Sequence, residues 1–297
     1  MKTIVVLGVG VAAAPIIRQT MRNVVLPGDD FRMVVVAPTS HFLWPIAMPR
    51  VVVPGQLADD KVMFDLWSIF KDYPSSKFEF VLGKASMLDA SGKRVTVELN
   101  DSGTRDLVYH TLIVATGSTA RDDMPWKVLD TAEKTSEKLH NLQDDIKRAK
   151  TIVVAGGGAT GTETAGELGF EYARNGDKEV YFVHSQDLPL SAPVLPSVRR
   201  QIKAELEKLK VTLIPNTTVT SATRSGGDTV PAALPEYKPA TTNMAMVTLG
   251  RSRGAGHFGG FKLFSFMVYM AKGRFLGTDY APALAMGKRT MMTTFEK

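Results

Sequence analysis

The stretch Lys2–Ala14, KTIVVLGVGVAAA, decides the fold. Thr3 to Leu7 is an apolar-leaning run of strand length, and Gly8-Val9-Gly10 turns the chain into a helix that starts near Val11. Such a turn aims backbone N–H groups and the positive end of a helix at a pyrophosphate, and its glycines let that group come close. The spacing reads G-x-G-x-x-A, with Ala13 where a small side chain keeps helix and strand packed. One such turn is a weak signal, because glycine-rich strand–helix turns also occur without a ligand. The chain carries a second. Thr151–Leu168, TIVVAGGGATGTETAGEL, repeats the strand, the Gly156-x-Gly158-x-x-Gly161 turn and a small-residue helix. Two dinucleotide turns in one chain predict two dinucleotides.

The 297 residues give room for two domains with their own cores. At 44% hydrophobic and 22% charged, the composition is that of a globular protein rather than a disordered one. No run is long enough to span a bilayer. With the first strand starting at Thr3, the sequence predicts no leader peptide and a cytoplasmic location, or one peripheral on a membrane surface. Cysteine is absent. That excludes a disulfide framework, thiolate metal sites and a redox-active cysteine pair, so no metal site is expected and electrons must pass directly between bound cofactors and an acceptor. The net charge of +6 is concentrated at the end: Ala245–Lys297 holds 8 Lys/Arg and 2 Asp/Glu, leaving 28 of each sign elsewhere. This basic, apolar C-terminal segment suits anionic lipid or phosphate, or is a solvated basic face. The charge alone speaks for nucleic acid, and no aromatic-and-basic strand motif supports it.

In chain order, Arg32–Val36 reads as the second parallel strand. An acidic residue usually ends this strand and grips a ribose. Here Ala37-Pro38 stands there, so Thr39 or Ser40 must replace that contact or it is lost. The loop His41–Arg50 is aromatic and ends in an arginine able to hold a phosphate bidentately, or simply to sit at the surface. Asp59–Phe70 has helical periodicity. Phe78–Leu88 and Lys93–Leu99 form a hairpin, and Leu112–Val114 reads as a buried strand ending in Ala115-Thr116-Gly117. Thr131–Arg148 is a charged helix. After the second glycine turn come strand Glu179–Val183 with His184 at its tip, helix Val198–Leu209 and strand Val211–Ile214. An acidic residue at the position of His184 would favour NADH; His184 tolerates the extra phosphate of NADPH. Ser221–Ala245 shows no clear strand. Phe261–Met270 reads by default as a core helix or interface strip, with a membrane-surface helix as the alternative.

The chain resembles the flavoprotein NAD(P)H oxidoreductases of the apoptosis-inducing-factor-like, or ferroptosis-suppressor-like, type, fungal members especially. The resemblance rests on Gly8–Ala12, Ser40–Phe42 with Pro49-Arg50, Ala115–Ser118, Gly156–Leu168, Tyr237-Lys238-Pro239, Gly250–Gly256 and Lys272–Arg274. It implies an α/β protein with two Rossmann-like domains of the glutathione-reductase type: an FAD-binding domain from 1–125, a truncated NAD(P)H-binding domain from 126–222, and a 223–297 segment returning to the FAD domain. Hydride would pass from NAD(P)H through FAD to a quinone or a small phenolic acceptor. Carried over by position, Gly8, Val9, Gly10, Val11 and Ala12 cradle the FAD pyrophosphate, and Arg50 contacts the flavin nucleotide. Ala85 meets the adenine side through its backbone, and Ala115, Thr116 and Gly117 border the same site. Gly156, Gly158 and Gly161 hold NAD(P)H beside His184, and Glu163 lies near the nicotinamide. His257 is either a proton donor near the flavin or a surface-loop histidine.

One departure stands against that picture. The block that completes the nicotinamide domain and brings the flavin-binding Gly-Asp is missing, since Asn216–Pro235 jumps across it and Gly227-Asp228 has no preceding strand. The alternative expectation is therefore a catalytically impaired binding or interaction protein of the same descent. Expected partners are a small-molecule electron acceptor, no nucleic acid, and a membrane surface at the C-terminal segment, with a homodimer left open.

Overall fold

Continuous valine-rich runs predict strands buried on both faces, and the first sheet is built from them. Strands β1 (Lys2–Leu7), β2 (Phe31–Ala37) and β8 (Thr111–Val114) are parallel, with β1 in the middle. Strand β5 (Phe78–Asp89) pairs parallel with β2 through its first half and antiparallel with β6 (Arg94–Leu99) through its second; β6 continues into β7 (Thr104–Val108). The sheet order is β7-β6-β5-β2-β1-β8. Val5, Leu7, Val34 and Val36 cluster with Val81, Val95, Val97 and Leu107, while Ile4, Val6, Met33 and Val35 are buried too. Each such side chain contributes about 1.5–3 kcal/mol on burial.

In this computed structural model the described residues are 1–120, 123–223, 229–231 and 244–295, with backbone alone at 222, 223 and 229–231. Tyr237-Lys238-Pro239 and Gly227-Asp228 lie outside them. The fold is α/β, and the chain forms two compact units. The first comprises Met1–Met48, Ala58–Asn141 and Gly277–Lys297; the second, Pro49–Leu57 and Leu142–Leu276.

Besides its sheet, the first unit carries helix α1 (Ala13–Thr20) and the short pair β3 (His41–Leu43) with β4 (Met63–Asp65), before helix α3 (Leu66–Phe70). A short helix, α2 (Met48–Val51), spans the boundary between the units, and α4 (Ala132–Arg148) runs from one into the other. The second unit repeats the strand–helix–strand plan with β9 (Thr151–Ala155), α5 (Ala159–Glu171), β10 (Glu179–Val183), α6 (Pro196–Lys208) and β11 (Thr212–Ile214), all parallel in the order β11-β10-β9. Phe182, Leu168, Ile202 and Leu206 fill its interior. A small hairpin follows, β12 (Ser221–Thr223) with β13 (Thr229–Pro231). Then comes an antiparallel meander of β14 (Met244–Leu249), β15 (Arg253–Phe258) and β16 (Phe261–Leu263), leading into helix α7 (Ser265–Val268). Helix α8 (Ala281–Ala285) belongs to the first unit, where Tyr280 meets buried Trp44 edge-on at 5.5 Å.

Four expectations from periodicity are corrected. Asp59–Phe70 is not one helix: Asp59–Lys61 is a 3-10 turn, Met63–Asp65 is β4, and the α-helix starts only at Leu66. The Asp65 carboxylate accepts from the Ser68 amide at 2.8 Å and its hydroxyl at 2.6 Å, starting α3 there, while the preceding residues pair with β3. Leu112–Val114 is a strand but not a buried one: β8 is the sheet edge, and Val114 is 64% exposed. The Ser221–Ala245 stretch holds β12, β13 and the start of β14. Phe261–Met270 is no core helix, because Phe261, Phe264, Phe266, Met267 and Met270 are exposed and only Val268 is fully buried.

Candidate functional site

The first glycine turn leaves β1 under tight geometric control. Gly8 has φ +106°, its N–H donates to Val36 O at 2.8 Å, and a Cβ there would lie 2.2 Å from Ala115 O. Only glycine fits. Gly10 is the opposite case: a Cβ there would meet nothing within 4 Å, so its backbone faces open space, and Gly10 O accepts from Ala14 N as α1 begins. The turn borders a cleft of about 810 Å³ within the first unit. Gly8, Val9, Gly10, Val11, Ala12, Ala85, Ala115, Thr116 and Gly117 all line it, so these sequence-predicted residues are brought together in one place.

Where an acidic residue would usually end β2, Asn100 donates to Pro38 O at 2.7 Å and fixes the Ala37-Pro38 corner. Thr39 lines the cleft, but its hydroxyl is shared with the backbone of His41 at 3.1 Å; Ser40 bonds the His41 ring at 2.9 Å. The spacing argument missed three charged residues on the same cleft: Lys84, Lys127 and Asp130. Lys127 bonds Ser118, and Lys84 faces Asp130 at 3.8 Å. The one available signal was the adjacency of Lys84 to Ala85.

The second turn reproduces the first, bond for bond. Gly156 has φ +113° and donates to Val183 O at 2.9 Å, just as Gly8 does to the end of β2. Gly158 begins α5, accepts from Thr162 N at 2.9 Å and has open space at its Cβ position. At Gly161 a Cβ would strike Gly156 O at 2.0 Å, which is the close packing the third glycine permits.

His184 sits at the tip of β10, 2% exposed, its ring 5.2 Å from that of Phe182 and its Cβ against Gly157. Neither ring nitrogen has a hydrogen-bond partner. Burial pushes the imidazole pKa below its usual value, which keeps the ring neutral. The residues that follow, Ser185 to Asp187, are the exposed ones, and buried Arg199 pins this loop through Pro189 O, Leu188 O, Gln186 and Asp187.

Arg50 is not among the residues lining the first cleft. It lies in the second unit, buried, where Nη2 meets Glu167 Oε1 at 2.9 Å and Nε meets both carboxylate oxygens at 3.2 Å. Its remaining donors reach Gly273 O at 3.2 Å and Gly250 O at 3.4 Å. Burial raises the Glu167 pKa, and the guanidinium opposes that rise. One turn earlier on the same face of α5, Glu163 is buried as well. Its Oε1 accepts from the Thr248 amide at 3.0 Å, from the Thr248 hydroxyl at 3.3 Å and from the Lys272 ammonium. Arg50 thus ties α2 and the backbone at Gly250 and Gly273 to α5, and Glu163 ties β14 and Lys272 to the same helix. His257 is a buried residue of β15 rather than a surface-loop histidine. Its Nδ1 donates to Gly259 O at 2.8 Å, which leaves Nε2 as a buried acceptor with no partner. Among the described residues no cluster of His, Asp or Glu could hold a metal ion.

Two turns of one geometry, each leaving a parallel strand and starting a helix, define the class of dinucleotide-binding α/β proteins twice over in one chain. The chain belongs to the pyridine nucleotide-disulphide oxidoreductase family, which it matches over residues 2–255. Members bind FAD and NAD(P)H and pass electrons to small acceptors or partner proteins. The chain is 36% identical over 219 residues to the oxidoreductase ptaL of Pestalotiopsis fici, covering 73% of this chain and 58% of that protein. It is 32% identical over 135 residues to ferroptosis suppressor protein 1 of Xenopus laevis, covering 46% and 34%. The fold is similar to that of a sulfide:quinone oxidoreductase from Aquifex aeolicus, with TM-score 0.58 at 20% identity over 78% of this chain and 57% of that one. The match thus spans little more than half the length of the fungal relative.

Proposed function

We propose that the chain is an FAD-dependent NAD(P)H oxidoreductase, with FAD in the first-unit cleft, NAD(P)H at the second glycine turn, and a quinone or small phenolic compound as acceptor. The observation that carries this reading is what the two turns share: a first glycine, Gly8 or Gly156, at positive φ and bonded to the end of the neighbouring strand, and a second, Gly10 or Gly158, with open space at its Cβ position. A packed glycine serves the fold, whereas an open one beside a helix N-terminus leaves room for a diphosphate. The residues present fit FAD on that test. A flavin held there would supply the hydride acceptance and electron relay that link NAD(P)H to the acceptor.

The chain's own residues bind and orient. Gly8 to Ala12 supply the N–H groups for the diphosphate, Ala115 to Gly117 border the cleft, and Ala85 offers backbone to the adenine side. Gly156, Gly158 and Gly161 do the same for NAD(P)H, with neutral His184 as an uncharged wall. Arg50 and Glu163 act by holding α5 and the meander in place. The name of the fungal relative, an oxidoreductase, agrees with the activity, and that of the Aquifex enzyme agrees with a quinone acceptor.

A second reading, a catalytically impaired binding protein, draws on the second unit's parallel sheet, which has three strands with β9 at its edge and Val153 59% exposed. FAD titration followed by thermal unfolding separates the two. A ligand at a hundredfold excess over its Kd stabilises the native state by about 2.7 kcal/mol, so a clear rise in Tm is expected with FAD and a further rise with NADPH. No rise with either supports the second reading.

A further inference from the structure

The meander of the second unit exposes its largest apolar side chains instead of burying them. Phe258, Phe261, Phe264, Phe266, Met267 and Met270 are between 48% and 81% exposed. They all fall between residues 258 and 270. Phe258 stands directly opposite Phe261 in the β15–β16 pair, so the two rings share a face. Phe264 follows as the residue that caps α7, and Phe266, Met267 and Met270 are spaced three and four apart on the helical turns that follow. Folded domains rarely leave an apolar surface of this kind without a use for it.

The charge on the same segment is one-sided. Residues 251–278 contain five Lys/Arg and no Asp or Glu. Arg251, Arg253 and Lys272 face Glu171, Glu205 and Glu163, while Lys262, next to Phe261 in sequence, and Arg274, over the ring of Phe275, are exposed. Aromatic and methionine side chains framed by cations match the boundary layer of an anionic bilayer, where rings enter the headgroup region and the cations meet lipid phosphates. A second copy of the chain fits less well, because a two-fold contact through this face would set like charges against each other. No helix among the described residues is long and apolar enough to cross a membrane.

We propose that the face formed by Phe258, Phe261, Phe264, Phe266, Met267 and Met270 seats the protein on an anionic membrane surface, independently of the oxidoreductase reading. The full chain, sedimented with phosphatidylcholine vesicles with and without phosphatidylserine, is expected to pellet with the serine-containing vesicles and to be released by salt. Phe261→Ser, Phe264→Ser and Phe266→Ser combined should weaken binding by roughly tenfold or more with an unchanged circular dichroism spectrum. Lys262→Glu with Arg274→Glu should remove the preference for phosphatidylserine. Failure of the native chain to pellet with either vesicle, or full binding by the triple variant, overturns the proposal. A concentration-dependent dimer that the triple variant dissolves, with no vesicle binding, overturns it in favour of a second copy.

Discussion

Arg50 and Glu167, 117 residues apart, form a buried ion pair with the guanidinium bonded to both carboxylate oxygens and to two backbone carbonyls. Removing one partner leaves the other charge stranded, which costs about 3–5 kcal/mol where no water can enter. Arg50→Ala and Glu167→Ala are each expected to lower Tm sharply, while Arg50→Met combined with Glu167→Leu recovers much of the loss. Singles within about 1 kcal/mol of the native chain by denaturant unfolding would show that the pair holds nothing together.

The glycines separate packing from binding. Gly8→Ala places a Cβ 2.2 Å from Ala115 O at a φ of +106° and should destabilise the first unit by several kcal/mol or prevent folding. At Gly10 a Cβ meets nothing within 4 Å, so Gly10→Glu should leave Tm without ligand within about 0.5 kcal/mol equivalent, yet the FAD-dependent rise should vanish as the carboxylate enters the diphosphate position. An undiminished FAD response in Gly10→Glu removes the first cleft as the flavin site. Gly158→Glu makes the matching test for NADPH.

His184 sets a pH limit. Its folded-state pKa lies below the unfolded value of about 6.5, so the unfolded chain takes the proton first as pH falls. Stability is undiminished above about pH 6.5 and is lost as pH drops from there through the folded-state value, with a slope of at most about 1.4 kcal/mol per pH unit from this group. His184→Leu should flatten that limb in urea unfolding between roughly pH 5 and 7, where few carboxylates change charge. An identical limb in the variant assigns the acid sensitivity elsewhere.

Glu163→Gln keeps the shape of the side chain but loses the charge that faces Lys272 and the Thr248 amide. We expect a loss of about 1–3 kcal/mol in stability, because a partly buried ammonium is left with a neutral partner. With α5 less firmly held, hydride transfer from NAD(P)H should slow in proportion to that loosening. Fast flavin reduction together with lowered stability would confine Glu163 to the scaffold.

Much of this was readable before any coordinates. Periodicity and glycine spacing are local properties, and they located both turns, both parallel strand pairs, the hairpin of β5 and β6, and helices α4 to α6. Pairing over long distances was not readable. Nothing near Arg50 announces that its partner is on α5, and nothing near Leu112 shows that β8 ends its sheet. Asp65 reads as one more residue in a helical run until β3 claims the residues before it. The phenylalanines after Gly260 carry the same apolar signal whether they face a core, a partner or open space, so sequence alone left core helix, interface strip and membrane-surface helix open. His257 failed for the converse reason, since a glycine-rich neighbourhood suggests a loop, yet those glycines let β15 pack closely: a Cβ at Gly254 would lie 2.5 Å from Val268.

The most direct test is the visible absorbance spectrum of the FAD-loaded chain, recorded without oxygen before and after addition of NADPH. The account predicts a flavin band that bleaches on mixing and recovers when a quinone is added. A bound flavin whose band is unchanged by either NADPH or NADH would contradict it.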